Sequence, residues 1–291
     1  MEKILKMRIQ FDCCECIFSQ LIRMSKDLGA PPERRWEFFS DAVEIFQQKC
    51  RCATPPELAA LYFARYAAYS GQEDLYLKEK DNSTAIALKL YEELSPEASD
   101  FCAKIKLATS GNMIDYGVLP DFDLKSVGRF VREAMEMKID ENAAADLEAR
   151  VISAKNILYI LDNCGEAVFD RVLLETMKDK VTIAVRGGAI LNDVTRREVV
   201  PSNLGEFPLI DTGCAAPGVP LPLVSEDFKA AMENADLIIA KGQGNFESLE
   251  EDFHARPIYF LFRAKCPVIQ KYTNSQPESI QIIGRNLNFP G

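Results

Sequence analysis

Four predicted strands in the second half of the chain end in polar or glycine-rich turns. These turns are Asp162-Asn163, Arg186-Gly187-Gly188 leading to Asn192-Asp193, Asp211-Thr212-Gly213, and Lys241-Gly242-Gln243-Gly244-Asn245. In a parallel sheet all four turns lie on one edge, beyond the carboxyl ends of the strands, where such sheets bind ligands. Carboxylate and amide oxygens with few soft ligands beside them suit Mg²⁺ or Mn²⁺ better than zinc. The pattern therefore indicates a divalent-metal site.

The last of these turns also has the features of an anion site. Lys241 offers a point charge to a phosphate. Gly242 and Gly244 allow the backbone to come close and to donate N–H groups at a helix N-terminus. A metal and a lysine together could neutralise charge in a phosphoryl-transfer transition state. A second interpretation stays open at this point, because Asp-Asn and Asn-Asp pairs are also common in turns and as helix N-caps.

Composition and motif content exclude several other functions. The net charge of −10 and the pI near 4.9 argue against a nucleic-acid backbone or an anionic membrane as the main partner. His254 is the single histidine of the chain and has no obvious partner, so neither a Ser-His-Asp triad nor a multi-histidine zinc site is expected to be the main chemistry. Glu247 stands where a dinucleotide-binding fingerprint needs its third glycine, and no P-loop sequence occurs.

Nine cysteines are scattered through the chain, and this odd number predicts reduced thiols in a cytoplasmic protein. No secretory signal and no apolar run of membrane-spanning length is visible, which agrees with that location. The two cysteine clusters, Cys13-Cys14-Glu15-Cys16 and Cys50-Arg51-Cys52, leave three interpretations open. They could form a four-thiolate zinc site or a redox pair of Cys13 and Cys16, but free cysteines are favoured.

The chain divides into two regions of different pattern. Residues 1–150 are predicted to form a helical N-terminal region or cap, with helices at 16–28, 33–49, 55–69, 74–90 and 98–109. Residues 151–291 alternate strand and helix, which predicts an α/β domain with a Rossmann-like, mostly parallel sheet and helices on both faces. Short strands are also predicted near residues 268–271 and 280–283. From composition alone, residues 110–117 are interpreted as a helix C-cap and turn.

Taken together, the motifs resemble those of a known family. The matching stretches are GNMIDYG at 111–117, DNCGEAVFD at 162–170, NDVT at 192–195 and KGQGN at 241–245. The chain resembles the family catalogued as domain of unknown function 89, described as metal-dependent damage-control phosphatases and also called acidic-residue-methyltransferase-like. The resemblance runs from the N-terminal Cys-x-x-Cys element to the final strands, and that element fits the stand-alone microbial branch.

The resemblance implies a metal-dependent phosphomonoester hydrolase that acts on small phosphorylated metabolites, such as sugar phosphates or damaged cofactor precursors. It implies a divalent cofactor (Mg²⁺, Mn²⁺, Co²⁺ or Ni²⁺) held by Asp162, Asn163 and Asp193. The catalytic residues it implies are Asp162, Asp193 and Lys241, and those expected to bind substrate are Asn112, Asp115, Glu166, Lys241, Gly242 and Asn245. The attacking group is either a metal-bound water or a carboxylate such as that of Asp193.

Two other functions stay open on the sequence. One is an S-adenosylmethionine-dependent carboxyl methyltransferase, which the family's second name suggests. The turn after the first strand, Asp162-Asn163-Cys164-Gly165, has only one glycine, unlike the usual glycine-rich turn of methyltransferases. The other is a non-catalytic protein that binds a metal or a metabolite.

Overall fold

The computed structural model describes residues 7–111 and 124–288. The first part of the described chain is helical: α1 (Cys13–Asp27), α2 (Pro32–Lys49), α3 (Pro55–Ser70), α4 (Leu77–Leu94), α5 (Phe101–Ser110), α6 (Leu124–Met135) and α7 (Glu141–Ser153). Local sequence sets several of these boundaries. Thr54 and Glu57 form a capping box before α3, and Gly71 ends that helix in the left-handed conformation. The side chains of Asp100 and Asp140 cap the N-termini of α5 and α7.

From residue 157 strands and helices alternate. The elements are β1 (Ile157–Ile160), α8 (Cys164–Leu174), β2 (Val181–Val185), α9 (Arg196–Val199), β3 (Leu209–Asp211), α10 (Glu226–Asn234), β4 (Leu237–Lys241), α11 (Gln243–Leu249), β5 (Ile258–Arg263), α12 (Pro267–Thr273) and β6 (Ile280–Arg285). The six strands form one sheet in the order β3-β2-β1-β4-β5-β6. The strands β1 to β5 are parallel, and β6 runs antiparallel to β5.

This strand order places the topological switch point between β1 and β4. The chain moves outward from β1 to β2 and β3, and then returns to pair β4 with the other side of β1. Ile157 therefore lies between Val181 of β2 and Leu237 of β4. In doubly wound sheets the crevice at such a point, beyond the carboxyl ends of the strands, is where ligands bind.

Helices cover both faces of the sheet, because successive residues of β1 point to opposite faces and are buried on both. On one face Tyr159 packs with α5, α7 and α8 in the largest apolar core. On the other face Ile160 packs with α10, α11 and α12. The helices α1, α2 and α3 form a third core around Leu21 and Phe38. The predicted fold class, a mostly parallel α/β sheet with helices on both faces and a multihelical N-terminal region, is confirmed.

One predicted strand is a helix in the structure. Residues 268–271 lie in α12, because Cys266 caps this helix and Pro267 occupies its first position. The domain boundary near residue 150 stays a prediction. In the structure α4, α5 and α7 share the apolar core of the sheet, whereas α1 to α3 have a core of their own. Within residues 7–111 and 124–288, no helix is both long enough and apolar enough to cross a membrane.

Candidate active site

Backbone hydrogen bonds join the end of β1 to the segment that follows β2. The N–H of Val194 donates to the carbonyl of Asp162 at 2.9 Å, and the N–H of Cys164 donates to the carbonyl of Asn192 at 2.9 Å. Asn163 and Asp193 form an antiparallel bridge between these two bonds. These bonds join residues 162–164 to residues 192–194, thirty positions further along the chain. Asp162 and Asn163 therefore lie beside Asp193 at the switch point.

Asp162, Asn163 and Asp193 together form an acidic cluster. Arg186, which follows β2, binds both carboxylates of this acidic cluster. Its Nε donates to Oδ2 of Asp193 at 2.6 Å, and its Nη2 donates to Oδ1 of Asp162 at 3.2 Å. Its Nη1 donates to Oδ1 of Asn245 at 3.0 Å. Arg186 is 1% exposed, so all three bonds lie out of water and fix the carboxylates in place. The sequence indicates Arg186 only as part of a turn, and its role as the shared partner was not predicted.

The carboxylates are crowded. Burial raises the pKa of the Asp162 carboxyl well above its usual range, and the nearby Asp193 and Glu166 raise it further. Arg186 and Lys265 act in the opposite direction but do not outweigh these effects on the pKa of Asp162. Crowded buried carboxylates favour a bound cation, because its charge stabilises their ionised form.

Gly242 makes room for the Asp162 carboxylate. Its φ is +82°, and a Cβ atom at this position would lie 2.0 Å from Oδ2 of Asp162. A side chain here would therefore displace the carboxylate. The Gly242 N–H donates to the carbonyl of Leu261 at 3.0 Å. The glycine's observed contribution is the close approach to Asp162, and the binding of substrate at Gly242 stays a prediction.

Lys241 lies within the protein and belongs to a buried charged network. Its Nζ donates to Oε1 of Glu166 at 2.7 Å, to Oδ1 of Asp170 and to the carbonyl of Ala108 at 3.1 Å. The hydroxyl of Tyr159 also donates to Oδ1 of Asp170, at 2.8 Å. Lys241, Glu166 and Asp170 are each 0% exposed. The resemblance implies that Lys241 and Glu166 both bind substrate; in the structure they contact each other on the α8 side of the sheet.

This network shifts the pKa values of Asp170 and Lys241. Burial raises the pKa of Asp170 to about 7, although the Lys241 ammonium beside it acts to lower the value. Burial also opposes the charge of Lys241, but the carboxylates of Asp170 and Glu166 outweigh it and raise the lysine pKa. One oxygen of Asp170, Oδ2, has no hydrogen-bond partner among the described residues.

Asn245 is also buried rather than presented to a ligand. Its side-chain amide donates to the carbonyl of Lys241 at 2.6 Å, while its oxygen accepts from Arg186. It therefore links the end of β4 to the guanidinium that holds the acidic cluster. Asn112 and Asp115 lie outside the described residues. Gly111, the last described residue before them, packs directly against Glu166.

A cavity of ≈ 500 Å³ opens over the acidic cluster. Asp162, Asn163 and Asp193 form part of its wall, together with Gln243 and Lys265 from the β4 and β5 ends of the sheet. The helix α1 and the residue before α4 supply another part of the wall, and their lining residues are Gln20, Arg23, Met24, Asp27 and Tyr76. Lys241, Glu166 and Asn245 do not line this cavity. The two parts of the chain therefore enclose one polar site, and the contribution of α1 was not predicted from the sequence.

The N-terminal cysteines are free thiols in the structure. Cys13 and Cys16 lie at the start of α1, and Cys50 and Cys52 follow the end of α2. Within the described ranges, no group of three or more His, Cys, Asp or Glu side chains has a geometry that could hold a metal ion. Burial raises the pKa of Cys13, which disfavours the thiolate that a redox pair needs. These observations favour the free-cysteine interpretation.

The damage-control phosphatase ARMT1-like domain, as a family model, matches residues 9–280. The chain belongs to this family. Among its relatives, the damage-control phosphatase PH1575 of Pyrococcus horikoshii is 34% identical over 275 residues, which cover 91% of this chain and 94% of that protein. A damage-control phosphatase of Archaeoglobus fulgidus is 30% identical over 225 residues, 74% of this chain and 77% of that protein. The family resemblance predicted from the motifs is confirmed.

A solved structure of the ARMT1-like family supports the fold. The crystal structure of the DUF89 family protein PH1575 from Pyrococcus horikoshii superposes with a TM-score of 0.83 at 32% identity, covering 94% of this chain and 97% of that chain. An uncharacterized protein of Methanocaldococcus jannaschii, MJ0202, is 31% identical over 274 residues, 89% of this chain and 90% of that protein. The match to the PH1575 structure covers nearly all of both chains, so the two proteins share their fold over that length.

Proposed function

We propose that this protein is a metal-dependent phosphomonoester hydrolase that acts on small phosphorylated metabolites, including sugar phosphates or damaged phospho-metabolites, in the cytoplasm. The observation that carries the proposal is the convergence of Asp162, Asn163 and Asp193 at the switch point of the sheet, on the wall of a polar cavity. Membership of the damage-control phosphatase family supports the reaction type. The names of two relatives, both damage-control phosphatases, support it further.

The chemistry of the donor set fits a hard divalent metal. Asp162 and Asp193 supply two negative charges, while Arg186 supplies one positive charge, and Asn163 adds a neutral oxygen donor. A divalent cation would balance the remaining charge and would leave a net attraction for a phosphate. Oxygen donors of this kind suit Mg²⁺ or Mn²⁺, and the same set could also accept Co²⁺ or Ni²⁺. When bound, such a metal acts as a Lewis acid towards a phosphoryl oxygen.

The protein's own residues would position the substrate. Arg186 keeps the carboxylates of Asp162 and Asp193 in fixed orientations, which reduces reorganisation during the reaction. Lys265 lines the cavity and its charge acts on Asp162, so it is the cation that we assign to an incoming phosphoryl group. Lys241 is buried outside the cavity wall, so its part would be to hold the carboxylates of Glu166 and Asp170. Direct contact between the substrate and the residues expected to bind it stays a prediction, and these residues are Asn112, Asp115, Glu166, Lys241, Gly242 and Asn245.

The test is a phosphatase assay on the purified protein with p-nitrophenyl phosphate and a panel of phosphorylated metabolites. Activity is measured after chelation and after addition of Mg²⁺, Mn²⁺, Co²⁺ or Ni²⁺. We expect activity only with metal, and a loss of at least about 100-fold in Asp162→Asn, since even indirect partners of metal sites cost 10–100-fold. Asp211→Asn is the matched control, because Asp211 also ends a strand on this edge but pairs with Arg196 outside the cavity.

Two results would contradict the proposal. The first is activity that survives removal of all metal, and the second is full activity in Asp162→Asn with an unchanged circular dichroism spectrum. Calorimetric titration with S-adenosylmethionine separates the methyltransferase alternative. We expect no binding in the absence of metal, whereas tight metal-free binding would favour that alternative.

A further inference from the structure

The helix α1 presents one polar face to the cavity. Gln20, Arg23, Met24 and Asp27 line it, and they follow the i, i+3, i+4, i+7 spacing of a single helix face. The helix is anchored on the protein by Leu21, which is 0% exposed and packs into the core of α1 to α3. The backbone of this helix is therefore held by packing before any ligand arrives, and the exposed Arg23 side chain extends from it.

Arg23 differs from most other arginines of the described chain. Arginines such as Arg8 and Arg65 are paired with the carboxylates of Asp252 and Asp41. The Arg23 guanidinium forms no hydrogen bond or ion pair within residues 7–111 and 124–288, although the protein has an excess of acidic residues. A guanidinium that faces a cavity without an internal partner is suited to bind an anion, which it can do through two parallel hydrogen bonds.

Lys265 is the other cation among the residues that line the cavity. It lies just beyond the end of β5, at the sheet edge that carries Asp162, so we assign it to the side of the metal and the phosphoryl group. Arg23 stands on a different element, the helix α1. A cavity of ≈ 500 Å³ falls within the size range of sites that enclose whole small ligands, so it has room for more than a phosphoryl group.

We propose that Arg23 is a specificity-determining residue that binds a second anionic group of the substrate, apart from the phosphoryl group that is cleaved. The preferred substrate class is then a small phosphorylated acid, with a carboxylate or a second phosphate on the same molecule. This inference rests on the proposed phosphatase function. It assigns the recognition of the substrate's remaining part to the N-terminal helices, while the sheet edge supplies the chemistry.

The test compares two substrates with the same three-carbon chain, 3-phosphoglycerate and glycerol 3-phosphate, which differ by one carboxylate. The wild-type protein should favour 3-phosphoglycerate in kcat/KM. Arg23→Gln should lose about 10- to 100-fold on this substrate, mainly through KM, because it removes a charge-assisted hydrogen bond to the carboxylate. It should stay within about twofold of wild type on glycerol 3-phosphate and on p-nitrophenyl phosphate. Arg23→Lys should keep part of the preference.

Lys26→Gln is the matched control, since Lys26 is an exposed cation on the same helix and does not line the cavity. It should leave the preference unchanged. Equal losses on both substrates, an unchanged preference in Arg23→Gln, or no preference in the wild type would each overturn the assignment of Arg23. Absence of any metal-dependent turnover would instead overturn the proposed function. In that case, thermal protection of the metal-loaded proteins by each compound tests Arg23 separately, and protection independent of Arg23 would overturn its assignment.

Discussion

Replacing Lys241 by Met should remove the ammonium that two buried carboxylates share. Met has a similar length and no charge, so the substitution changes electrostatics more than packing. Glu166 and Asp170 would then face each other without the ammonium that both accept from. We expect the variant to be destabilised by about 3–5 kcal/mol at pH 8, the usual effect of removing one partner from a buried ion pair.

The loss of stability should depend on pH, because Asp170 can take up a proton. In the wild type burial raises the pKa of Asp170 to about 7, above the value of about 3.9 in the unfolded chain. A raised carboxyl pKa means that stability falls as pH rises from the unfolded to the folded value. Without Lys241, the pKa of Asp170 in the folded protein rises further. The fall in stability then continues above pH 7 in the variant, whereas it ends near pH 7 in the wild type.

The difference in unfolding free energy between the two proteins should therefore grow between pH 7 and pH 8.5, by at most about 1.4 kcal/mol for each pH unit. Urea denaturation followed by circular dichroism at pH 6, 7, 8 and 8.5 measures it. Asp170→Asn combined with Lys241→Met is the control, because it has no carboxylate at position 170 to titrate. A difference that is the same at pH 6 and pH 8.5, or below about 1 kcal/mol at pH 8, would refute the reasoning.

Two further substitutions test the construction of the site. Gly242→Ala should lower metal-dependent activity at least tenfold, because the added methyl group would lie 2.0 Å from Oδ2 of Asp162. Gly29→Ala shares the left-handed backbone, with φ +63°, but has nothing within 4 Å, so it should show only the backbone strain of about 1 kcal/mol. Arg186→Lys should weaken metal binding about 10- to 100-fold in calorimetric titration, because one ammonium cannot hold both carboxylates and Asn245. Arg196→Lys, at an exposed ion pair with Asp211, should leave metal affinity unchanged, and equal effects of the two lysine variants would contradict this role of Arg186.

Much of the fold could be predicted because its signals are local. The buried run before Asp162 and the alternation of strand and helix beyond it are properties of short segments. Polar residues at the ends of β1 and β4 indicated the ligand-binding edge, since parallel strands must bring their carboxyl ends together. The family motifs added the expected partners, including Asp193.

The remaining parts of the site depend on contacts between distant residues. Arg186 bonds to Asn245, 59 positions away, and no local pattern gives that pairing. The burial of Lys241 follows from which face of β4 it occupies, and the same turn residues would suit either face. The position of α1 over the cavity depends on how the helices pack, and the local sequence around Arg23 does not determine that packing.

Anomalous diffraction from crystals soaked in Mn²⁺ and phosphate tests the central claim most directly. We predict one strong anomalous peak among the side-chain oxygens of Asp162, Asn163 and Asp193, at metal–oxygen distances of about 2.1 Å. Phosphate density should lie beside it in the cavity next to Lys265. A fully occupied Mn²⁺ elsewhere in the molecule, with these three side chains free of metal, would contradict the account.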